Sequence, residues 1–416
     1  MAETLDVRSL RAAVEGAAAA FRCRRRLQPA GGEGDKVFPP TFAGAVYASE
    51  KRRLPGREEP ADCVLLDSVQ SQANRMELAL QEAIDAGKIT MPLLVVDFSE
   101  HYDPTLDKDA ADKAGKLIDA VGKVTSLQVP HRLADAILRD SDLDGVAFRK
   151  SDRGRALNQV SLANATPLFE LCPTALVFGM WDSTGPKGGL GPKFERAMVS
   201  EIVGVGAEWN DDYRARGVRR DPLEIRAAVK VLKAADKSWS VVESKAKGAT
   251  EPSKVNHSSV PFDSANSGVT IEYAEQTTTL SLICLRRLRF PINGASGADT
   301  DAAARTVLAA LGLAAATLAF ESGMGLRSRC LLWPDGPMEW ELLERPGATP
   351  ARFSLTGDAA IRLLNDAIAS AEAVKLPWAK VSIVLKPSTG KGRSENLVEL
   401  VRLSQLEATK ESGETT

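Results

Sequence analysis

An alternation of apolar and polar positions predicts a strand within residues 16–28. Successive side chains of a strand point to opposite faces, so every second residue shares a side. One side carries Phe21, Cys23 and Arg25, and the other carries Arg22, Arg24 and Arg26. The pattern therefore predicts a strand with a basic exposed face, which runs into a turn at Pro29–Gly34.

A repeat of three to four residues predicts a helix directly after Leu66. Asp67 or Ser68 is a suitable N-cap, because a short polar side chain can accept a hydrogen bond from the first turn. The expected buried stripe is Val69, Ala73, Met76, Leu80 and Ile84. The sides of this helix carry Gln70, Asn74, Arg75 and Glu77.

The remaining pattern predicts an α+β fold with interrupted elements, because strands and helices follow each other without regular repeats. Further strands or extended segments are expected at 93–98, 175–181, 197–208, 269–273, 329–333 and 381–385. Further helices are expected at 277–288, 302–320 and 358–374. Residues 99–165 form a polar, irregular insertion with short helical patches, 236–267 form a long loop, and the last twenty or so residues are expected to fray.

The composition is that of an ordinary soluble globular protein, with 44% hydrophobic and 26% charged residues among 416. Apolar runs such as 309–320 fall short of the ~20 residues that a membrane span needs. The N-terminus lacks a basic-then-apolar signal pattern, and the five cysteines are scattered and odd in number. We therefore expect a cytoplasmic protein without a disulfide framework.

Charge is segregated along the chain although the net charge is only −2. From Arg22 to Arg57, nine basic residues face three acidic ones, which leaves +6. Further basic groups lie at 149–155, 214–220 and 286–289, and arginine, the better residue for forked phosphate contacts, outnumbers lysine in them. This distribution is compatible with a groove for a polyanion, but clusters of surface charge are also common without any ligand.

Catalytic and metal motifs are weak. None of His101, His131 and His257 has a second histidine at ligand spacing, and the cysteines form no CxxC pair, so zinc is not expected. The segment that begins at Asp140 starts like a calcium loop, but Ser151 stands where a bidentate glutamate is required. We expect no metal and no cofactor.

The loop 185–194 is rich in glycine and lysine but matches neither the Walker pattern nor GxGxxG. It is either a stiff surface loop or a loop whose Lys187 and Lys193 contact a nucleic-acid backbone. Trp181 before it could stack on a base, although a tryptophan at a strand end often belongs to the core. Beyond it, His257 could act as a general base, but a polar contact to RNA is the preferred interpretation because no orienting carboxylate lies nearby in sequence.

Several stretches together carry a resemblance to a known family. They are Arg26–Gly32 with Asp35–Pro40, Leu66–Arg75, Pro173–Phe194, and Lys254–Ser259 with Gln276–Thr278. The chain resembles, from about Leu5 to Leu385, the backbone subunit of the type I-G (formerly I-U) CRISPR Cascade complex, a member of the RAMP superfamily.

The resemblance implies an RRM-like (ferredoxin-like) palm with large helical and finger- or thumb-like insertions. The expected segments are palm at 1–98, an insertion at 99–165, palm at 166–235, a flexible or thumb-like insertion at 236–268, palm at 269–390 and a polar tail at 391–416. The implied partners are the CRISPR guide RNA, target DNA through the guide, further copies of the chain, other Cascade subunits and a helicase–nuclease, with no membrane.

The resulting hypothesis is a non-catalytic subunit that polymerises along the guide RNA and supports pairing of the guide with target DNA. The candidate RNA-binding residues are Arg24, Arg26, Gln28, Lys36, Gln70, Asn74, Arg75, Trp181, Lys187, Lys193, Asn256 and His257. The alternative is a metal-independent RAMP endoribonuclease that processes precursor RNA, for which His257 would be the base.

Overall fold

The computed structural model describes residues 3–42, 47–183, 185, 188–208, 228–234, 238–255, 268–389 and 396–413. Helices and sheets are mixed along the chain, so the predicted α+β class is confirmed.

The strands are numbered in chain order. They are β1 Glu3–Thr4, β2 Ala20–Pro29, β3 Ser49–Arg52, β4 Ala61–Asp67, β5 Leu94–Asp97, β6 Lys123–Thr125, β7 Ser141–Leu143, β8 Val146–Ala147, β9 Met180–Trp181, β10 Lys193–Phe194, β11 Met198–Val205, β12 Lys230–Lys233, β13 Trp239–Val242, β14 Tyr273–Ser281, β15 Met324–Arg327, β16 Cys330–Pro334, β17 Glu339–Leu343, β18 Ala351–Ser354 and β19 Ile383–Pro387.

The α-helices are numbered in the same way. They are α1 Val7–Glu15, α2 Val69–Asp85, α3 Lys108–Lys113, α4 Ala136–Arg139, α5 Asp152–Leu157, α6 Thr166–Leu171, α7 Thr174–Phe178, α8 Leu282–Arg286, α9 Ala298–Glu321, α10 Gly357–Ala373 and α11 Leu397–Gly413.

The main sheet has the strand order β1-β18-β17-β2-β14-β11-β4-β3. Its long central ladder is antiparallel, with Arg24 of β2 opposite Thr277 of β14 and Leu27 opposite Ala274. The edge of β2 that faces away from β14 pairs with β17 near its start and with β16 near its end. The elements β2, α2, β11, β14, α9 and β17 follow one another in this order along the chain, with strands β3 and β4 inserted between β2 and α2 and strands β15 and β16 between α9 and β17. Strands β2 and β14 lie at the centre of the sheet.

Helices α2 and α9 cover one face of the main sheet. Gly312 of α9 lies so close to Met198, Leu280 and Val177 that an added Cβ would stand 3.2–3.4 Å from their side chains, which explains a glycine inside this helix. Helix α9 is long and apolar enough to cross a membrane by length and composition, but 83% of its most apolar window is buried inside the protein. It packs here as a core helix.

A second sheet has the order β6-β5-β19-β7-β8. The segment 99–165 supplies three of its strands, and Leu117, Leu127 and Leu133 from this segment belong to the same hydrophobic cluster as Leu311 of α9. The polar segment is therefore packed into the core through a few apolar positions. Its predicted boundaries stay a prediction.

Most long elements agree with the sequence pattern. The structure confirms strands β2, β5, β11, β16 and β19 and helices α2, α9 and α10 within a few residues of the predicted bounds. Ser68 caps α2, where its hydroxyl oxygen accepts a hydrogen bond from the Ser71 amide at 3.3 Å. Alternation and helical repeats are reliable where an element buries one face, as β2 and α2 do, whereas α9 is buried nearly all round and is recognised by its long run of alanine and leucine.

Several predicted elements are wrong. The expected strand 269–273 has only isolated bridges at Val269 and Thr270 before β14 begins, and the expected loop 236–267 contains strand β13. The apolar run 175–181 forms helix α7, which ends at Gly179 with φ +84°, and only Met180–Trp181 is extended; a short, wholly buried run does not distinguish helix from strand. The predicted helix 277–288 begins only at Leu282, because the alternating, threonine-rich Tyr273–Ser281 is strand β14.

A further error concerns the C-terminal tail, which is helical over Leu397–Gly413 rather than frayed. Arg402 pairs with Glu399 and with Asp112, and the Gln405 side chain accepts from the Ile118 amide at 2.9 Å. Contacts with distant residues hold this helix, and a local pattern cannot show them.

Candidate nucleic-acid interface

The face of β2 that points away from α2 and α9 carries the predicted basic row. Arg24 and Arg26 are exposed on it, and Arg22 and Gln28 are half-buried. Buried residues alternate with them along the strand, as expected for a sheet with one covered face. The structure therefore brings Arg24, Arg26 and Gln28 together on one open surface, which we call the open face.

Glutamates from neighbouring strands neutralise two of the arginines on the open face. Arg24 donates to both carboxylate oxygens of Glu275 on β14, at 2.8 and 2.9 Å. Arg22 donates from two nitrogens to Glu341 on β17, at 3.0 and 2.7 Å. The acids that pair with these arginines lie more than 250 positions away in the sequence. The net positive charge of the folded surface is therefore smaller than the count of basic residues from Arg22 to Arg57 indicated.

Arg26 differs from these two. Its guanidinium carbon lies 4.2 Å from the centroid of the Tyr273 ring, and within the described residues it forms no ion pair within 4 Å. Stacking on an aromatic ring leaves the outward N–H groups of an arginine available. Arg26 is therefore the cation of the open face that is best prepared to meet a phosphate.

Trp333 extends the open face on the other side of β2. It is directly opposite Gln28 in the β16–β2 ladder, so both side chains point to the same face, and Trp333 is 71% exposed. The Gln28 amide donates to the Glu272 carbonyl oxygen at 3.2 Å. Sequence reasoning predicted the strand but missed this residue, although Leu331 and Trp333 occupy the outward phase of the alternation.

Lys36 lies beyond the end of β2 and is half-buried. The turn before it closes through hydrogen bonds from Gly32 and Asp35, and the next residue, Val37, bridges to Val269. The structure therefore places Lys36 in a folded turn just beyond the end of β2, where the next residue, Val37, packs with Leu27 in a hydrophobic cluster.

Gln70, Asn74 and Arg75 do not join this surface, because they are on α2 at the covered side of the sheet. Gln70 and Asn74 are exposed there. Arg75 is held by Asp67 at 3.0 Å and by the Leu326 carbonyl oxygen at 2.6 Å, so it ties α2 to β15. Its contacts account for it as a structural residue.

A chain of buried polar side chains runs under the same strands. Arg25 donates to Gln276, the Gln276 amide donates to Gln72 at 2.8 Å, and Gln72 donates to Asp67 at 2.6 Å. Burial lowers the pKa of the Arg25 guanidinium to about 10. Its ring partner is Phe320, whose centroid lies 3.2 Å from the guanidinium carbon.

Trp181 and Lys193 form a separate pair. They are opposite each other in the β9–β10 ladder, with the Lys193 ammonium 5.5 Å from the Trp181 ring, and Trp181 is 52% exposed. The Asp182 amide donates to the Pro192 carbonyl oxygen at 3.0 Å, and the buried Asp182 carboxylate accepts from Arg149 at 2.8 Å. The hairpin leads into the start of β11, which pairs with the end of β14. Gln28 and Tyr273 lie at the other end of this central ladder, so the hairpin and these two residues do not form one site.

Three predicted contacts, Lys187, Asn256 and His257, lie outside the described residues, as does the basic group 214–220. In the other basic groups, Arg153, Arg287 and Arg289 form ion pairs with Glu170, Glu195 and Asp301. These arginines are engaged within the fold.

The segment that begins like a calcium loop is a β-hairpin. Strands β7 and β8 pair across Asp144 and Gly145, both with positive φ, and the Asp140 carboxylate accepts from Arg139. Across the described ranges, no group of three histidine, cysteine, aspartate or glutamate side chains has the arrangement of a metal site. The open face offers cation, amide and aromatic contacts.

Residues 21–209, less than half of the chain, match the model of a family described as CRISPR-associated protein GSU0053 (Cas_GSU0053). The match supports a CRISPR-associated protein. It includes β2 with its arginines, α2, the second-sheet strands up to β8, and β11, and it ends before Tyr273 and Trp333. No curated protein matches the chain.

Proposed function

We propose that this CRISPR-associated chain is the guide-RNA-binding backbone subunit of a type I Cascade complex. The observation that carries the proposal is the open face, where Arg26 is stacked on Tyr273 beside Gln28 and Trp333. Such a surface combines a phosphate-binding cation with aromatic and amide groups, which is the chemistry that single-stranded RNA requires.

The connectivity of the main sheet supports an RRM-like palm. With β3, β4, β15 and β16 taken as additions to the sheet, the order β2, α2, β11, β14, α9, β17 has the form strand–helix–strand–strand–helix–strand, and its four strands are ordered β17-β2-β14-β11. This is the arrangement of ferredoxin-like units. RRM domains of this type bind single-stranded RNA on the sheet face that the helices leave open.

The ion pairs on the open face suggest how an almost neutral chain holds a polyanion. The carboxylates of Glu275 and Glu341 occupy Arg24 and Arg22 as phosphate groups would. An exposed ion pair contributes little to stability, about 0–1 kcal/mol, so a phosphate can exchange for a carboxylate at small cost. Affinity for one subunit would be modest, and several copies along one RNA would bind tightly through their linked sites.

In this proposal the sequence of the target is read by base pairing with the guide, and the protein holds backbone and shape. Copies of the chain, other Cascade subunits and a separate helicase–nuclease are the proposed partners. The subunit itself is proposed to be non-catalytic.

Co-expression with a CRISPR array tests the proposal. The purified chain should retain RNA whose sequence contains CRISPR repeats and spacers, and Arg26→Ala should retain several-fold less of it. Arg155→Ala is a matched control, since Arg155 is an exposed arginine of helix α5 that is paired with Asp152 rather than placed on the open face. Absence of CRISPR RNA from the purified wild-type complex would contradict the proposal.

The same preparation separates the binding role from the endoribonuclease alternative. The retained RNA should stay intact on incubation with or without divalent metal, for both the wild type and His257→Ala. A general base would instead give discrete products that fall by ~10²–10⁴ in rate in the variant while binding is kept.

A further inference from the structure

We infer that Trp333 is a stacking platform for one unpaired nucleobase of the bound RNA. The inference rests on the proposed function and specifies the part of the open face that contacts a base. Arg26, on the next strand, would hold the adjoining phosphate.

The position of Trp333 supports this assignment. The indole projects from β16 opposite Gln28 and is 71% exposed, although an apolar ring of this size is normally largely buried. It is not needed to cover the core, because the neighbouring Cys330 and Leu332 are buried on the opposite face of the same strand. An exposed ring on an ordered strand keeps a flat surface available at low entropic cost.

The surroundings of Trp333 favour RNA over a protein partner. Across β2 from it lies Tyr273, roughly 10 Å away at the usual strand spacing, and Arg26 is stacked on that ring. The other open-face residues of β2 and β14 are arginine, glutamate, threonine, glutamine and serine, while apolar residues on this face include Leu331 beside Trp333 and the valines of β11 beside β14. Protein interfaces are depleted of charged residues at their centres, whereas cation and aromatic groups together are typical of single-strand nucleic-acid sites.

Trp333 lies outside the part of the chain that matches the family model. Arg26 lies inside it. The stacking site is therefore assembled by bringing β16, from the last third of the sequence, against a strand of the matched part.

The test compares two ligands with the full-length chain. One is a short oligoadenylate, and the other is a ribose–phosphate chain of the same length without bases. Both are measured by fluorescence anisotropy against the wild type, Trp333→Ala, Trp333→Phe and Leu331→Ala. Leu331 is the matched control, because it is 56% exposed on the same face of the same strand but is not aromatic.

The wild type should prefer the oligoadenylate by ~5- to 150-fold, the contribution of one stacked base. Trp333→Ala should lose most of this preference and bind the abasic chain within about twofold of the wild type. Trp333→Phe should keep most of the preference, and Leu331→Ala should keep all of it.

Three results with the variants would overturn the stacking role of Trp333. The first is an unchanged preference of Trp333→Ala for the oligoadenylate. The second is a loss of affinity in Trp333→Ala that is equal for the oligoadenylate and the abasic chain. The third is a loss of preference in Leu331→Ala as large as that in Trp333→Ala. If the wild type binds both ligands equally, RNA binding through phosphates stands and the platform falls. If it binds neither, the proposed function falls as well.

Discussion

Arg25 and Arg26 are adjacent residues of the same type, but their side chains lie on opposite faces of β2, one covered and one open. Arg25 is 7% exposed, stacked on Phe320 and bonded to Gln276, and its Nε and Nη1 atoms have no hydrogen-bond partner within the described residues. Arg26 is exposed and stacked on Tyr273. The alternation of the strand alone decides which of them can meet a ligand.

The difference shows that a count of arginines does not measure the charge available at a site. On the covered face, polar groups are linked to each other out of reach of solvent, and removing one leaves another unsatisfied at a cost of ~1–3 kcal/mol. On the open face, each ion pair competes with water and salt, so its partners can be exchanged. We therefore expect stability to depend on the covered face and RNA affinity on the open face.

The largest effect is expected from Asp67→Ala on the covered face. Asp67 is fully buried and accepts from Gln72 at 2.6 Å and from Arg75 at 3.0 Å. Its removal should lower the free energy of unfolding by about 3 kcal/mol, the lower end for a broken buried pair, because Arg75 keeps some contact with solvent. Urea unfolding measures this change.

The control for this prediction is Glu341→Ala on the open face, which removes a carboxylate from a partly exposed pair with Arg22. It should change stability by no more than about 1 kcal/mol. If the two variants were equally stable, the contrast between the faces would have no energetic basis.

The second effect separates two arginines of the open face by the salt dependence of RNA binding. Arg26→Ala should lower the slope of log K against log salt by about 0.7, the value for one phosphate contact to a single strand. Arg22→Ala should change the slope less, because Glu341 already neutralises Arg22 through two hydrogen bonds. Equal changes for the two variants would mean that RNA displaces Glu341 from Arg22 completely rather than in competition with it, and no change for either would place the RNA elsewhere.

Much of the fold could be predicted from the sequence, because several of its long elements bury one face and expose the other. The arginine row of β2 and the capped helix α2 are examples. The errors fall where local pattern is ambiguous. The wholly buried run Thr174–Phe178 shows no alternation, and Tyr273–Ser281 continues into a capped helix without a turn residue between them.

The candidate site could be predicted only in part, because its composition depends on which strands become neighbours. Arg26 and Gln28 share one strand and follow from alternation. Glu275 and Trp333 reach them through pairing over a long sequence distance, and neither a charge count nor a motif shows such pairing. For the same reason Arg75, which the sequence groups with the RNA contacts, is found tied to Asp67 instead.

The smallest effect, and the most direct test of exchange on the open face, is expected from Glu275→Gln. Glu275 accepts two hydrogen bonds from Arg24, whose side chain remains about half exposed. Glutamine keeps the shape and removes the charge, so Arg24 becomes available to a phosphate. RNA affinity should rise severalfold at low salt, and the salt slope should increase by up to about 0.7. The free energy of unfolding should change by no more than the ~1 kcal/mol of an exposed pair.

Asp62→Asn is the matched control, because it removes one carboxylate from the exposed pair with Lys51 at 3.4 Å on β3 and β4, away from Arg24. An equal rise in both variants would indicate a general effect of net charge. A fall in affinity for Glu275→Gln alone would mean that the carboxylate positions Arg24 for RNA rather than competing with it.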